Sequence, residues 1–222
     1  MTVNTPKPLV SAATTDAFIE LAKARRSVYG LSASSPIPDS EIEELVNSAI
    51  LHVPSSFNTQ STRLVLLLHD EHKKLWDIAA KTFEEDLVSS GRVPKAMWEN
   101  HTKPKLEGFR AAYGTIMFFE DPAHIAPLAA QFPTYADHFS PWAQHTNAMH
   151  QYYLWLALRS VGISANLQHY NPIIDERVAK AWSIPTEWKL VAQMVFGTAI
   201  GELDEKTFKP LEERIKVFGA KE

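Results

Sequence analysis

Cysteine is absent from this chain of 222 residues. Without thiols the chain forms no disulfide, cysteine-ligated zinc site, iron–sulfur cluster or thiolate nucleophile, and the lack of disulfides fits a reducing compartment. No apolar run approaches the roughly 20 residues that span a bilayer, and the N-terminus lacks the apolar segment of a secretory signal. The net charge of −4 argues against bulk attraction to nucleic acid. We therefore expect a cytoplasmic protein that binds neither nucleic acid nor membrane.

Several common catalytic and binding motifs are also missing. The chain has no Gly-x-Gly-x-x-Gly and no P-loop lysine motif, which argues against a classical dinucleotide or nucleoside triphosphate site. It has no Gly-x-Ser-x-Gly, which argues against a serine hydrolase of that type. Histidines are frequent, but His145 and His150 are five residues apart, the wrong spacing for two ligands on one helical face. We expect no metal site.

The composition is that of an ordinary globular protein, with 45% hydrophobic and 22% charged residues. No linker or internal repeat divides the chain, so we expect one domain over residues 1–222, with residues 1–13 as a loose N-terminal arm. Hydrophobic periodicity predicts the order helix–helix–strand–helix–strand–helix–helix–strand–helix–strand–tail. This order indicates an α+β fold with α/β-type layers, in which helices cover one sheet.

Local signals predict where several elements begin. Residues 40–43, Ser-Glu-Ile-Glu, have the pattern of a capping box at the start of the second helix. Ser140 and Pro141 predict the start of the longest helix, through residue 161, and Asn171 with Pro172 predicts the start of a later one. The longest helix is apolar all round, which is typical of a dimer interface or of a monomer's core.

Two segments have weaker patterns. Residues 91–108 suit either a lid beside a pocket or a surface helix that is packed by Trp98. Residues 204–219 predict a short charged helix followed by an extended tail.

The polar connection at residues 54–63 is the most informative stretch of the chain. Its sequence, Pro-Ser-Ser-Phe-Asn-Thr-Gln-Ser-Thr-Arg, lies between an amphipathic helix and an apolar run at residues 64–68 that predicts a buried strand. Hydroxyl and amide side chains favour turns because they bond nearby backbone groups, and they can equally surround a polar ligand. Composition alone favours a plain helix-to-strand loop.

In the order of its residues this loop resembles the signature loop of the nitroreductase family, whose members are FMN-dependent oxidoreductases. Arg25-Arg26-Ser27 and the tail sequence Arg-Ile-Lys-Val-Phe-Gly at residues 214–219 are two further matches, in the family's order. Residues 166–172, Asn-Leu-Gln-His-Tyr-Asn-Pro, look most like the branch of small fungal and bacterial nitroreductases similar to 4-nitroquinoline-oxide reductases. The resemblance implies a mixed central sheet flanked by helices, and a C-terminal tail exchanged in a homodimer.

The same resemblance implies an FMN site at the subunit interface. The residues expected at the phosphate are Arg25, Arg26, Ser27, Arg214 and Lys216, since arginine and lysine bind phosphate oxygens well. Those expected at the ribityl chain and pyrimidine edge, from the partner subunit, are Ser55, Ser56, Asn58 and Gln60. Leu167, Gln168 and His169 match the segment near flavin N5, and His169 is the candidate catalytic residue. Plain structural alternatives remain open: arginines that complement a helix dipole, a solvated tail, and a core histidine.

One position departs from the family pattern. Several bacterial members carry a lysine near the flavin pyrimidine ring where this chain has Tyr29. Because a reduced flavin carries negative charge there, we expect another cation to replace this lysine, and Arg63 is the candidate. A surface or sheet-edge role for Arg63 is the alternative.

Together these features predict an FMN-dependent NAD(P)H oxidoreductase that reduces nitroaromatics or quinones. In the predicted mechanism hydride passes through flavin N5, and the reductant and a flat aromatic acceptor use one slot in turn, which requires ping-pong kinetics. Trp98, Phe109 and Tyr113 are candidates to line that slot. The alternatives are a flavin-binding regulatory or storage protein with little turnover, and an α/β dimer without a cofactor.

Overall fold

The computed structural model describes residues 12–201 and 205–221, with side chains from residue 14 onward. Most of the expected N-terminal arm, residues 1–11, lies outside the described residues. The helices are α1 (Ala12–Ala24), α2 (Asp39–His52), α3 (His69–Phe83), α4 (Lys95–Met97), α5 (Lys103–Arg110), α6 (Ala126–Gln131), α7 (Ala136–Ser160) and α8 (Asp175–Trp182). The strands are β1 (Leu31–Ser32), β2 (Thr62–Leu68), β3 (Gly114–Glu120), β4 (Ser164–Gln168) and β5 (Lys189–Ala199).

The five strands form one sheet around β5. Strand β3 pairs with one side of β5 and β2 pairs with β3, while β4 and β1 lie on the other side of β5. All four ladders are antiparallel, and the parallel pairing recorded in the described residues is a single bridge between Ser27 and Ala165. The predicted α+β class is confirmed. The expected mixture of parallel and antiparallel pairing is present only through this one parallel bridge among the described residues.

Helices cover both faces of the sheet and create two cores. One core combines sheet residues such as Met117 and Val195 with α3, α5 and α8. The other combines Ile116 and Met194 with α2 and α7. Alternation along β3 and β5 explains the division, because successive side chains of a strand point to opposite faces. In the described part of the chain, no helix is both long and apolar enough to cross a bilayer.

Two predicted helix starts are wrong. Helix α2 begins at Asp39, and no side chain caps it, since the N-cap residue is Pro38, which has no side-chain acceptor. The Asp39 carboxylate accepts hydrogen bonds from Tyr113 and His69. Helix α7 begins at Ala136, so Pro141 lies inside its second turn. Pro141 has no N–H, so it removes one intrahelical hydrogen bond just beyond the first turn, where the N–H groups are unpaired in any helix.

Three other segments also differ from expectation. Helix α8 begins at Asp175, after a turn that contains Asn171 and Pro172. Residues 95–110 form a nearly continuous helix in which Trp98 is buried and stacks on Phe83 at 5.4 Å, as the surface-helix alternative requires. The prediction of a short charged helix within residues 204–219 is wrong for residues 205–219, because they contain only a turn near Leu211. Residue 204 lies outside the described residues.

Candidate functional site

The first motif is attached to strand β4. Arg25 and Arg26 follow directly after α1, and the next residues turn toward the sheet. The Val28 N–H donates to the Ala165 carbonyl at 3.0 Å, and the buried Asn166 amide donates to the Val28 carbonyl at 2.8 Å. Backbone pairing therefore holds the Arg25-Arg26-Ser27 motif at the start of β4, within a few residues of Leu167 and Gln168.

A shallow recess beside this motif is lined by three arginines, Arg25, Arg26 and Arg159. The Arg25 guanidinium lies 4.7 Å from the centroid of the Trp155 ring, which lines the same recess. The Trp155 indole N–H is buried and has no hydrogen-bond partner in the described residues. No carboxylate pairs with these arginines within residues 14–201 and 205–221. The recess thus gathers positive charge and an unused donor, which is the donor set that an anion needs.

Lys206 adds a fourth cation to this region. Its ammonium donates to the Lys23 carbonyl at the end of α1. Burial, together with the charges of Arg25 and Arg26, lowers the pKa of Lys206. Sequence reasoning missed both Lys206 and Arg159, because neither lies in a family motif and only the fold brings them near Arg25.

The end of β4 carries the second group of predicted residues. Leu167 is half-buried, Gln168 is buried and His169 is exposed. The Gln168 amide donates to Asn166 at 2.8 Å, which connects it to the Arg25-Arg26-Ser27 motif through Asn166. Because His169 is exposed, the alternative of a core histidine bonded to backbone does not apply.

The signature loop at residues 54–63 has a constrained backbone. Phe57, Asn58 and Gln60 all have positive φ, at 55°, 53° and 48°, a region that side-chain-bearing residues rarely occupy. The Gln60 N–H donates to the Ser55 hydroxyl at 3.0 Å, which closes the loop. Ser55 and Gln60 line a cavity of about 100 Å³ with His150. The Asn58 and Gln60 side chains are exposed, so their amides are available to a ligand.

Glu120 anchors the end of this loop. Its carboxylate, in a residue only 3% exposed, accepts hydrogen bonds from the Ser61 hydroxyl at 2.6 Å and the Thr62 hydroxyl at 2.7 Å. The Asn147 amide of α7 donates to the same carboxylate at 2.9 Å. Sequence reasoning missed Glu120; a carboxylate inside an otherwise apolar strand was the available signal.

Arg63 is already engaged by its own chain. Its guanidinium donates to Asp121 at 3.0 Å and to the Gln60 carbonyl at 2.7 Å, and it lies 5.7 Å from the Trp188 ring centroid. Strand β2, which carries it, is an edge strand. These contacts favour the sheet-edge alternative over a role beside the flavin pyrimidine.

The residues predicted to bind the flavin lie in separate groups, and a single chain does not place these groups next to one another. The Arg25 motif and the end of β4 lie at one side of the sheet, whereas the signature loop precedes β2 at the opposite edge. Strands β5 and β3 separate them, so β4 and β2 are about 14 Å apart at the usual strand spacing. Arg214 and Lys216 are exposed and contact neither group in the described residues; the Lys216 ammonium donates to the Glu212 carbonyl.

The aromatic residues near the site differ from those expected. Trp98 and Phe109 are buried in the core, and the Tyr113 hydroxyl is bound to Asp39, which raises the pKa of Tyr113 to about 12. The rings beside the loop are instead an aromatic wall, which we define as Phe57, Phe132, Tyr135, Phe139 and Trp142. Phe57, 51% exposed, is its centre, with centroid distances of 5.2 to 6.4 Å to the other four.

A broad apolar surface remains uncovered by the chain itself. A cavity of about 450 Å³ opens between α1, the end of α2 and α7, lined by residues that include Phe18, Val53, Met149 and Tyr152. Met149 and Tyr152 on α7 are 42% and 46% exposed. The tail contributes further exposed rings and aliphatic groups, with Phe218 90% exposed.

His72 serves a structural role. His72 is buried, with Nε2 donating to the Phe109 carbonyl at 3.0 Å and Nδ1 2.8 Å from the Thr115 hydroxyl. Burial lowers the pKa of His72 to about 4. Among the residues that the structure describes, no cluster of three or more histidine or carboxylate residues could hold a metal ion.

Comparison with known proteins identifies close relatives. The model of the Nitroreductase family matches residues 22–198. The protein HBN1 of Saccharomyces cerevisiae is 33% identical over 203 residues, which cover 90% of this chain and 96% of HBN1. The nitroreductase FRM2 of the same yeast is 32% identical over 187 residues, covering 83% of this chain and 89% of FRM2.

Solved structures agree in fold. The nitroreductase CinD from Lactococcus lactis in complex with chloramphenicol is 37% identical, with a TM-score of 0.80, and the match covers 91% of this chain and all of CinD. A second CinD structure holds 4-nitrophenol. A protein from Exiguobacterium sibiricum in complex with FMN shares the fold, with a TM-score of 0.65 at 16% identity over 96% of this chain and 99% of its own.

Proposed function

This chain belongs to the nitroreductase family, and on that basis we propose that it is an FMN-dependent NAD(P)H oxidoreductase that reduces nitroaromatics and quinones. Family membership supports an oxidoreductase, and the cationic recess beside β4 is the observation that carries the choice of FMN. A terminal phosphate needs several cations and donors, which this recess gathers without an opposing carboxylate in the described residues.

The residues present fit the phosphate end of the cofactor. Arg25, Arg26 and Arg159 supply cationic donors, and the unpartnered Trp155 indole N–H supplies a neutral one. The recess itself is small, about 10 Å³, so the phosphate would lie at its mouth. Bound FMN would supply the redox chemistry, accepting hydride from NAD(P)H and delivering electrons to the acceptor. Gln168 and His169, at the end of β4, would border the reactive ring.

We propose that a homodimer completes each site. The signature loop lies across the sheet from the Arg25 motif, so Ser55, Ser56, Asn58 and Gln60 would serve the site that the partner's motif begins. The tail, with Arg214 and Lys216, would cross to the partner in the same way. The uncovered apolar cavity beside α7 and the exposed tail residues support this arrangement, because a soluble monomer rarely exposes so much contiguous apolar surface.

The aromatic wall supports a flat acceptor. Its rings lie beside the signature loop, since the central ring, Phe57, is part of that loop and contacts the others. Flat electron-poor rings stack well on such a surface, and CinD has been solved with two nitroaromatics, chloramphenicol and 4-nitrophenol. Reductant and acceptor would use one slot in turn, and the reaction would require no nucleophile from the chain.

The test begins with purified protein, from which the cofactor is released and identified by chromatography. NADH or NADPH is then added without oxygen, followed by 4-nitrophenol or a quinone. We expect FMN, loss of the yellow colour with the reductant, and recovery of the colour with the acceptor. FAD or no flavin would contradict the cofactor, and a flavin that NAD(P)H does not bleach would favour the storage or regulatory alternative.

A further inference from the structure

A second cavity is lined by residues other than those of the Arg25 recess, although its Trp188 ring lies 5.7 Å from Arg63 of the signature loop. It has a volume of about 260 Å³ and lies between α8 and the start of β5. Its apolar lining includes Phe119 and Trp188, whose ring centroids are 6.0 Å apart. None of its lining residues belongs to the Arg25 recess, the signature loop or the end of β4. An occupant of this cavity would therefore leave the phosphate-binding recess at Arg25 free.

One polar atom in this cavity is unsatisfied. Asp175, the first residue of α8, lines the cavity, and its Oδ1 is buried without a hydrogen-bond partner in the described residues. A buried carboxylate oxygen without a donor is costly, so native proteins usually supply one. Burial raises the pKa of Asp175, an effect that the charge of Lys189 partly opposes. In the described residues Lys189 lines the same cavity but forms no hydrogen bond with Asp175 Oδ1.

The charges around the cavity favour a cation. Asp175 and Glu176 bring two negative charges, and Lys189 brings one positive charge, so the lining carries a net charge of −1. Arg63 lies near Trp188, but its charge is paired with Asp121. Aromatic rings attract cations through their faces. A carboxylate beside two aromatic rings is the combination that recognises an organic ammonium group on an apolar body.

We propose that this cavity binds a small organic cation, a primary ammonium carried on a single ring or short aliphatic group, with Asp175 as the counter-ion and Phe119 and Trp188 as the aromatic contacts. The volume suits such a ligand and is too small for a nucleotide, since drug-sized sites begin at about 300 Å³. This site is independent of the proposed redox function.

The probe is benzylamine, which is protonated at neutral pH, with benzyl alcohol as its neutral counterpart. Calorimetric titration of the full chain with its bound cofactor should show saturable binding of benzylamine, and clearly weaker binding of benzyl alcohol. Asp175→Asn should weaken benzylamine binding about tenfold, because a charge-assisted hydrogen bond is lost. The matched control is Glu187→Gln, which removes an exposed carboxylate outside the cavity and should bind as the wild type does.

Lys189→Gln provides a variant with the opposite expected sign. Removing the competing cation should tighten benzylamine binding several-fold, so the proposal stays testable even if Asp175→Asn folds poorly. Three results would each overturn the proposal: a flat benzylamine titration, equal affinity for benzyl alcohol, or benzylamine affinity that neither Asp175→Asn nor Lys189→Gln changes.

Discussion

Replacing Arg25 by alanine should weaken FMN binding strongly. The Arg25 guanidinium lies over the Trp155 ring and has no carboxylate partner in the described residues, so its charge is available to the phosphate. A charge-assisted hydrogen bond of this kind contributes about 1.5–3 kcal/mol. Its loss should raise the Kd about ten- to a hundredfold. Fluorescence titration of cofactor-free protein with FMN measures the change.

A conservative variant separates charge from geometry. Arg25→Lys keeps the positive charge but loses the paired donors and the planar contact with Trp155, so we expect an intermediate Kd. Arg92→Ala is the matched control, because Arg92 is exposed and forms no ion pair in the described residues. The wild type should bind less tightly as salt rises, and Arg25→Ala should lose part of that dependence.

The tail supplies an independent check. Arg214→Ala and Lys216→Ala should weaken FMN binding in the same direction, although both residues lie away from Arg25 within one chain. Unchanged affinity in Arg25→Ala, Arg214→Ala and Lys216→Ala would refute the phosphate assignment. An equal loss in Arg92→Ala would show that the effect is one of net charge.

Four further outcomes are expected. Glu120→Ala should lower the free energy of unfolding by about 1–3 kcal/mol, because the Ser61, Thr62 and Asn147 donors lose their buried acceptor. The same variant should bind FMN more weakly. Urea unfolding measures the loss of stability, and a flavin titration measures the loss of affinity. Sedimentation should show a homodimer, and a monomer that still binds FMN tightly would contradict the shared site. Burial lowers the pKa of His72 from its ordinary value of 6.5 to about 4, so the stability that the neutral His72 contributes is complete above pH 6.5 and is lost as pH falls toward 4. The loss is about 3 kcal/mol; urea midpoints from pH 7 to 5 should fall in the wild type and fall less in His72→Gln. Steady-state kinetics should give parallel double-reciprocal lines. Intersecting lines would rule out a single slot that the reductant and the acceptor occupy in turn.

Hydrophobic periodicity predicted the buried parts of the fold well. The apolar runs at residues 64–68 and 115–119 became β2 and β3, because an apolar run too short for a helix buries its side chains best as a strand of a covered sheet. Helix starts were predicted less well. The carboxylate of Asp39 bonds to Tyr113, 74 residues away, so the local pattern of a capping box could not reveal that Asp39 itself begins the helix.

The candidate site shows the same limit. Arg25 and Gln60 belong to contiguous motifs, so their residue types and order were enough to make them candidates. Arg159 reaches the recess only through the fold, and nothing in its immediate neighbours distinguishes it from an ordinary surface arginine. Glu120 ends an otherwise apolar strand, but its role depends on Ser61 and Thr62, which are distant in sequence. Arg63 is the converse case: its position next to the loop suggested a ligand, whereas Asp121 on the neighbouring strand segment satisfies its charge.

The signature loop connects these observations. Three of its residues with side chains adopt positive φ, each at a cost of about 1–3 kcal/mol, and Glu120 holds the end of the loop with two short hydrogen bonds. Such strain persists only where surrounding contacts over-determine it, yet the Asn58 and Gln60 side chains that it positions face outward. A helix-to-strand connection alone would not need this geometry. The strain is explained if the loop is shaped for a ligand held across a subunit interface, since the cationic half of the site lies beyond β3 and β5 on the same chain.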